Sequence, residues 1–155
     1  SVRVRAPLDS VWEFHSRVSG LEALTPDWLN LEVDSVRGPD GETDPEILDA
    51  GSTIKASVRP LGIGPRQGWT SRILARERGE GSAYFRDVME DGLFPTWNHT
   101  HVFYADGEET LVCDRVVYDL PGGRLGRRLG PIGYVGLEPM FRYRHKRTKE
   151  LLEDR

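Results

Sequence analysis

The sequence has few of the features that mark several large protein classes. It contains one cysteine, Cys113, so no internal disulfide can form and a disulfide-stabilised secreted domain is excluded. No apolar run approaches the roughly 18 residues that a membrane-crossing helix needs, and no signal-peptide core follows Ser1. We therefore expect no membrane span and, by default, a cytoplasmic location.

Motifs of nucleotide-binding and nucleophilic enzymes are also missing. The glycine-rich segments 62–65 and 130–133 lack the Lys-Ser/Thr pair that ends a phosphate-binding loop. There is no Gly-x-Ser-x-Gly elbow, and Cys113 has no plausible general base beside it in the sequence. The sequence predicts no nucleotide site, no cofactor and no hydrolase nucleophile.

The composition is that of one globular domain rich in turns. The chain has 155 residues, of which 37% are hydrophobic and 30% charged, and it includes 17 glycines and 10 prolines. This length suits a single hydrophobic core and is short for two. We predict one domain over residues 1–155.

Charge is unevenly distributed along the chain. Residues 1–50 are strongly acidic, whereas 121–155 are basic and include the cationic run 142–147. Such a run could bind nucleic acid or an anionic membrane. Because cations are favoured towards the C-terminal end of a helix, we interpret it as a solvated helix face attracted to the acidic N-terminal third. No nucleic-acid partner is predicted.

Apolar periodicity predicts an edge strand, short helices and then a strand meander. Val2 and Val4 alternate with arginines, and Ser10 with Glu13 forms a capping-box pattern for a helix over 8–18. Gly20 is expected to end that helix before a turn over 21–24. Apolar residues alternate again from Leu29 to Val33, before an acidic loop over 38–50. Five further strands are predicted over 52–59, 67–77, 82–89, 96–105 and 109–119.

A longer helix is predicted over 138–154, with Pro139 in its first turn. Its apolar stripe comprises Leu137, Met140, Phe141, Thr148, Leu151 and Leu152. A sheet of six to seven antiparallel strands also has a face to bury, and a helix laid across its concave side would cover both. The predicted fold class is α+β, a curved antiparallel sheet wrapped around a long C-terminal helix, with two short helices after strand 1.

Six segments, in their order and spacing, resemble a known family: Leu24-Thr-Pro-Asp-Trp-Leu29, Trp69-Thr-Ser-Arg-Ile73, Phe85-Arg-Asp87, Trp97-Asn-His-Thr-His-Val-Phe103, Asp114-Arg-Val-Val-Tyr118 and Phe141-Arg-Tyr-Arg144. The family is the START-like superfamily, also called SRPBCC or polyketide cyclase/dehydrase-like, and within it a bacterial and archaeal ligand-binding subfamily. The resemblance covers nearly the whole chain. It implies the helix-grip fold and an internal pocket used for lipids, sterols, hormones or aromatic polyketides. An epimerase-like partner domain accompanies some members. The acidic segment 38–50 departs from the tighter connection usual in the family.

Polar residues on three predicted strands are candidates for chemistry inside that pocket. Strand alternation places His99 and His101 on one face of their strand, while Asp87 and Asp114 share faces with apolar residues of neighbouring strands. Four polar groups could therefore meet in the interior. As catalytic candidates, His99 or His101 would act as a base oriented by Asp87 or Asp114.

Two other interpretations of these polar groups remain open. The donor types suit a metal, yet the spacing is not a zinc signature, and no metal site is predicted. The favoured interpretation is that the groups satisfy one another's hydrogen bonds and at most orient the polar end of a ligand, since buried charges need partners.

Aromatic residues on the strands and the terminal helix are the candidates for contact with a ligand. Aromatic side chains on strands can stack on a planar molecule or belong to a solid core, and only the volume between sheet and helix separates the two cases. The predicted ligand-binding residues are Trp69, Phe85, Trp97, His99, His101, Phe103, Tyr118, Met140 and Phe141.

Three functions follow from these observations. The first is reversible binding of a small apolar or aromatic molecule, such as a lipid, sterol or polyketide-like compound, between sheet and helix. The second is a cyclase- or dehydratase-like enzyme that uses a His/Asp pair in the same pocket. The third is an accessory domain that binds a protein partner.

Overall fold

The computed structural model describes residues 1–128 and 130–153, with the side chains of 126–136 outside the description. Seven strands form one antiparallel sheet in the order β1-β7-β6-β5-β4-β3-β2. A 3-10 turn over Asp27–Leu29 precedes β2, and another over Pro60–Gly62 precedes β4. The elements in chain order are β1 (Val2–Val4), α1 (Leu8–His15), α2 (Val18–Ala23), β2 (Glu32–Arg37), β3 (Thr53–Val58), β4 (Gln67–Arg78), β5 (Ser82–Glu90), β6 (Thr96–Asp106), β7 (Glu109–Asp119), α3 (Gly123–Arg128) and α4 (Gly130–Glu153).

The predicted α+β class is wrong, because the sheet dominates the molecule. Only 28% of the chain is helical, and the two helices after β1 are 8 and 6 residues long. The consecutive antiparallel strands from β3 to β7 take up most of the middle of the chain. The result is a seven-stranded antiparallel sheet with a C-terminal helix, consistent with a helix-grip-like layout.

Helix α1 begins without the predicted capping box. Its N-cap is Pro7, whose extended backbone enters the helix with no side-chain cap hydrogen bond, and Ser10 already lies inside the helix. The fixed φ of Pro7 orients the chain for the turn that follows. The buried face of α1 holds Leu8, Val11, Trp12 and His15.

Gly20 does not end a helix, as the sequence suggested, but lies within α2. A Cβ atom at Gly20 would lie 2.1 Å from the backbone oxygen of Phe14. Glycine therefore allows α2 to approach the end of α1 more closely than any other residue would.

The C-terminal helix begins earlier than predicted. It extends from Gly130 to Glu153, so Pro139 lies inside α4 rather than in its first turn, and residue 154 lies outside the described residues. Thr148 and Leu152 are buried, and Leu152 joins the core beside β1 and α1. Among the described residues, no helix combines the length and apolarity needed to cross a membrane.

Among the side chains that the structure describes, the buried apolar ones form two clusters rather than one. The first gathers α1, β1 and the end of β6 that carries Phe103. The second is centred on β2, β3 and β4 and includes Ile54 and Ile73, which also line a cavity. Phe85, which packs against the first cluster, lines the same cavity. The cavity thus separates the two parts of the core.

Candidate ligand cavity and histidine cluster

A cavity of about 330 Å³ lies between one face of the sheet and helix α4. Its wall is largely apolar. Alternation along the strands selects most of its sheet residues, which are 69, 71 and 73 of β4, 85, 87 and 89 of β5, and 97, 99 and 101 of β6. Leu21 and Leu24 of the α2 region contribute another side, and Leu48 of the acidic segment also reaches the wall. The volume is at the lower end of the range for small-molecule sites.

Seven of the nine predicted ligand-binding residues line this cavity: Trp69, Phe85, Trp97, His99, His101, Met140 and Phe141. Phe103 does not, because it lies further along β6 beneath α1, where its ring centroid is 5.7 Å from that of Trp12. Tyr118 is also outside the lining and packs near Trp97 and Phe94 at the other end of the sheet. Alternation along a strand therefore selects the face but not the extent of the cavity, since α1 packs onto the Phe103 end of that face and the Phe94, Trp97 and Tyr118 rings lie at the other end.

Strand register brings the predicted polar residues together. Asp87 on β5 lies opposite His99 on β6, and His101 lies opposite Asp114 on β7. Directly opposed side chains on one face of an antiparallel pair are close neighbours. With His145 of α4, these four residues form what we call the histidine cluster.

Asp114 is the centre of the histidine cluster. Its Oδ1 lies 2.9 Å from Nε2 of His99 and 2.8 Å from Nδ1 of His101. Its Oδ2 lies 2.7 Å from Nε2 of His145. Because an ionised carboxylate only accepts hydrogen bonds, each of these three ring nitrogens carries a hydrogen and donates a hydrogen bond to Asp114.

Asp87 faces the other side of the two β6 histidines. Its Oδ1 lies 3.9 Å from Nδ1 of His99 and 3.7 Å from Nε2 of His101. Both distances are longer than the donor–acceptor distance of a hydrogen bond. Asp87 Oδ2 accepts one from the hydroxyl of Ser71 at 3.3 Å. One potential metal-ligand atom from each of three residues lies within 4.8 Å of the other two, an arrangement that could hold a metal ion. The residues are Asp87, His99 and His101.

The environment shifts the proton affinities of these groups in opposite directions. Burial alone would raise the pKa of Asp114, but the three histidines around it outweigh burial and hold that pKa well below its usual value. Burial raises the pKa of Asp87. The pKa of His101 lies well below its usual value because of burial, with a further contribution from the neighbouring His99.

Two more titratable groups border the cavity. Arg144 of α4 is half-buried and lines the wall. Burial lowers its pKa, while the charges of Asp114 and Asp87 oppose that change, and a guanidinium stays protonated under ordinary conditions. His15 of α1 is buried, with Nδ1 2.8 Å from the carbonyl oxygen of Val11. Burial lowers the pKa of His15 to about 4.

The sequence analysis missed Arg144 and His145 as site residues, because it interpreted the basic run 142–147 as a solvated helix face. That interpretation suits Arg142 and Lys146, whose side chains are 77% and 78% exposed. The sequence nevertheless contains a pattern that could have identified these two residues. Phe141, Thr148 and the two missed residues follow the i, i+3, i+4, i+7 spacing of a single helical stripe, which faces the sheet.

Comparison with known proteins bears on the fold alone. No family model matches the chain, and no curated protein matches it. The crystal structure of TTHA0849 from Thermus thermophilus is similar, with a TM-score of 0.54 and 19% sequence identity over 95% of this chain and 95% of that chain. At this level of identity the likeness shows a shared fold, and function has to be argued from the site.

Proposed function

We propose that the protein binds a compact, mainly apolar and preferably aromatic molecule in the cavity between the sheet and α4. The observation that carries the proposal is the cavity of about 330 Å³ between the sheet and α4, with a largely apolar wall. Well-packed interiors contain few voids larger than a water molecule. This one is roughly eleven times the share of volume that one water takes in the liquid, so it is too large to be a packing defect.

The lining favours a planar ligand. Trp69, Trp97 and Phe141 offer aromatic surfaces on both the sheet side and the helix side of the cavity. Aromatic rings stack or meet edge to face with gains of about 0.5–1.5 kcal/mol per pair beyond simple burial. Because the volume is small for a ligand site, a molecule of two or three fused rings suits it better than a sterol.

The polar side of the wall gives such a ligand an orientation. His101 and Asp87 of the histidine cluster, together with Arg144, are among the polar residues of the wall. A ligand hydroxyl or carbonyl placed there would find both donors and acceptors. The motif resemblance to ligand-binding members of the START-like superfamily supports the same proposal, as does the helix-grip-like layout.

Ligand titration tests the proposal. We expect 2-naphthol or a flavonoid to raise the melting temperature saturably, because a ligand that binds only the folded state stabilises it by mass action. Cholesterol and palmitate are the comparison ligands and should have weaker effects. No saturable shift with any of the four would contradict the proposal.

A cavity-filling variant locates the site. Met140→Trp adds bulk to the cavity wall and should weaken binding of the responding ligand at least about 10-fold, provided that the variant stays folded by circular dichroism. Leu74→Trp is the matched control, since Leu74 is an exposed strand residue. Equal binding by both variants would place the ligand elsewhere.

The cyclase or dehydratase alternative stays a prediction. The two β6 histidines are oriented by Asp114, as such an enzyme would require. Turnover of a polyketide-like substrate that is lost in His101→Ala, while ligand affinity is kept, would favour the enzyme. An accessory role with a protein partner, including an epimerase-like domain, also stays a prediction.

A further inference from the structure

We propose that Asp87, His99 and His101 form a binding site for one divalent transition-metal ion on the wall of the cavity. This departs from the sequence-based expectation of no metal, and it goes beyond ligand binding, because the ion would bind in the absence of any organic molecule. The ligand atoms are Asp87 Oδ1, His99 Nδ1 and His101 Nε2.

The direction of the two imidazoles favours a metal ion. Each neutral histidine ring has one nitrogen that donates a proton and one that offers a lone pair. His99 and His101 both donate to Oδ1 of Asp114, through Nε2 and Nδ1 respectively. Their remaining nitrogens therefore carry lone pairs, and both are turned towards Asp87. A metal-binding histidine is commonly held by a carboxylate on its second nitrogen in this manner.

The distances between the ligand atoms also favour a metal ion. The lone-pair nitrogens lie 3.9 and 3.7 Å from Asp87 Oδ1. A tetrahedral ion bound at about 2.0–2.1 Å holds its ligand atoms roughly 3.3 Å apart. A bridging water, with hydrogen bonds of about 2.8 Å, would hold them roughly 4.5 Å apart. The observed distances are longer than direct hydrogen bonds and closer to the metal geometry than to the water-bridged one, so a contraction of about half an ångström would complete the site.

The balance of charge at the site is compatible with a divalent ion. Asp87 and Asp114 bring two negative charges, and Arg144 brings one positive charge against the same part of the wall. A divalent ion would leave a net charge of one positive, which a hydroxide or an anionic oxygen of a cavity ligand could neutralise. All three ligand residues line the cavity, so the remaining coordination position faces it. Three protein ligands and one open position are the pattern of catalytic rather than structural zinc sites.

Imidazole and carboxylate donors suit zinc, iron, cobalt and nickel better than calcium or magnesium. The test therefore uses Zn²⁺ alone and Co²⁺ as its spectroscopic substitute, with tag-free protein treated with EDTA and dialysed. We expect one equivalent of Zn²⁺ to bind in calorimetry and Co²⁺ to give visible absorption bands that Zn²⁺ displaces. Absence of saturable uptake at one equivalent would overturn the proposal.

Variants assign the site. Asp87→Asn removes a ligand charge with little change of shape and should weaken Zn²⁺ binding about 100-fold, whereas Asp114→Asn acts through the histidines and should weaken it roughly 10- to 100-fold. Asp34→Asn is the matched control, since Asp34 is an exposed strand aspartate, and should leave binding unchanged. Equal affinity of the Asp87 and Asp34 variants would overturn the assignment.

NMR spectra of the unmodified protein test the metal site even if a variant fails to fold. The chain has four histidines, so long-range proton–nitrogen NMR spectra can resolve each ring. On adding Zn²⁺, His99 Nδ1 and His101 Nε2 should shift, while the other nitrogen of each ring keeps its proton. Shifts confined to His15 or His145 would contradict the site. The zinc experiments contain no organic ligand. A failure to bind Zn²⁺ would therefore contradict the metal site alone, and the ligand-binding proposal is tested separately by the ligand titration.

Discussion

His145 on α4 donates a hydrogen bond of 2.7 Å from Nε2 to Oδ2 of Asp114 on β7. This bond ties the C-terminal helix to the sheet at the point where β6 also contributes two histidines. Asp114 is nearly buried, with 9% of its side chain exposed, and its charge is therefore satisfied by protein groups rather than by water. One carboxylate thus organises the polar side of the cavity.

Removal of Asp114 should be strongly destabilising. Asp114→Ala leaves three ring N–H groups without their acceptor, two of them on the buried His99 and His101. Loss of one partner of a buried charged network typically costs about 3–5 kcal/mol. The measurement is urea unfolding followed by circular dichroism. Asp34→Ala, at an exposed strand position, is the control. A loss below about 1 kcal/mol for Asp114→Ala would contradict the central role of this carboxylate.

Removal of His145 should loosen the helix more than the sheet. His145→Ala deletes the bond between α4 and β7, and hydrogen bonds to charged groups contribute about 1.5–3 kcal/mol. Hydrogen exchange should become faster in α4 than in β4 and β5. Lys146→Ala, at the exposed neighbouring position, should change neither quantity. If hydrogen exchange became faster by the same factor throughout the chain, the His145–Asp114 bond would not be a local connection between α4 and β7.

Stability should depend on pH through His15. Burial lowers its folded-state pKa to about 4, below the unfolded value near 6.5, so the unfolded state binds the proton more readily. Its contribution is present above pH 6.5 and is lost as the pH falls towards 4, by on the order of 3 kcal/mol between pH 7 and pH 4.

The difference between the wild type and His15→Gln isolates that contribution, because other groups titrate in both proteins. Unfolding free energies measured at pH 7 and pH 4 should change less in the variant. An NMR titration of the His15 ring gives the pKa directly. A value near 6.5 would show that the ring is open to water.

Close packing between α1 and α2 predicts that Gly20→Ala destabilises the fold. A Cβ atom would meet the Phe14 carbonyl oxygen at 2.1 Å, and backbone cannot move aside as a flexible side chain can. Overpacking of this kind costs about 1–3 kcal/mol, which exceeds the helix propensity gained from alanine. Gly81→Ala is the matched control, since a Cβ there has no neighbour within 4 Å, and its effect should stay within about 0.5 kcal/mol. Equal thermal stability of the two variants would contradict the close approach.

Much of the secondary structure was predictable because its signals are local. The turn residues and the period of two predict β4 over 67–77 and β7 over 109–119, and the structure has them at Gln67–Arg78 and Glu109–Asp119. The same period puts His99 and His101 on one face of β6. The capping box failed although it is also a local signal, because α1 has Pro7 as its N-cap and so begins three residues earlier than it would with Ser10 as the N-cap.

By itself, the sequence determined the bounds of β3 to β7 to within about one residue and the common face of the two β6 histidines, since both depend on residues only a few positions apart. It did not give β2, which lies at Glu32–Arg37 rather than over the alternation from Leu29 to Val33. Only the tertiary structure decided that the two histidines share one carboxylate, that Asp87 faces their free nitrogens, and that Arg144 and His145 reach the same wall. Those relations depend on the register of β5 and β7 against β6 and on the position of α4. Register and docking are set by the burial of surfaces distant in sequence, which no local pattern of residues encodes.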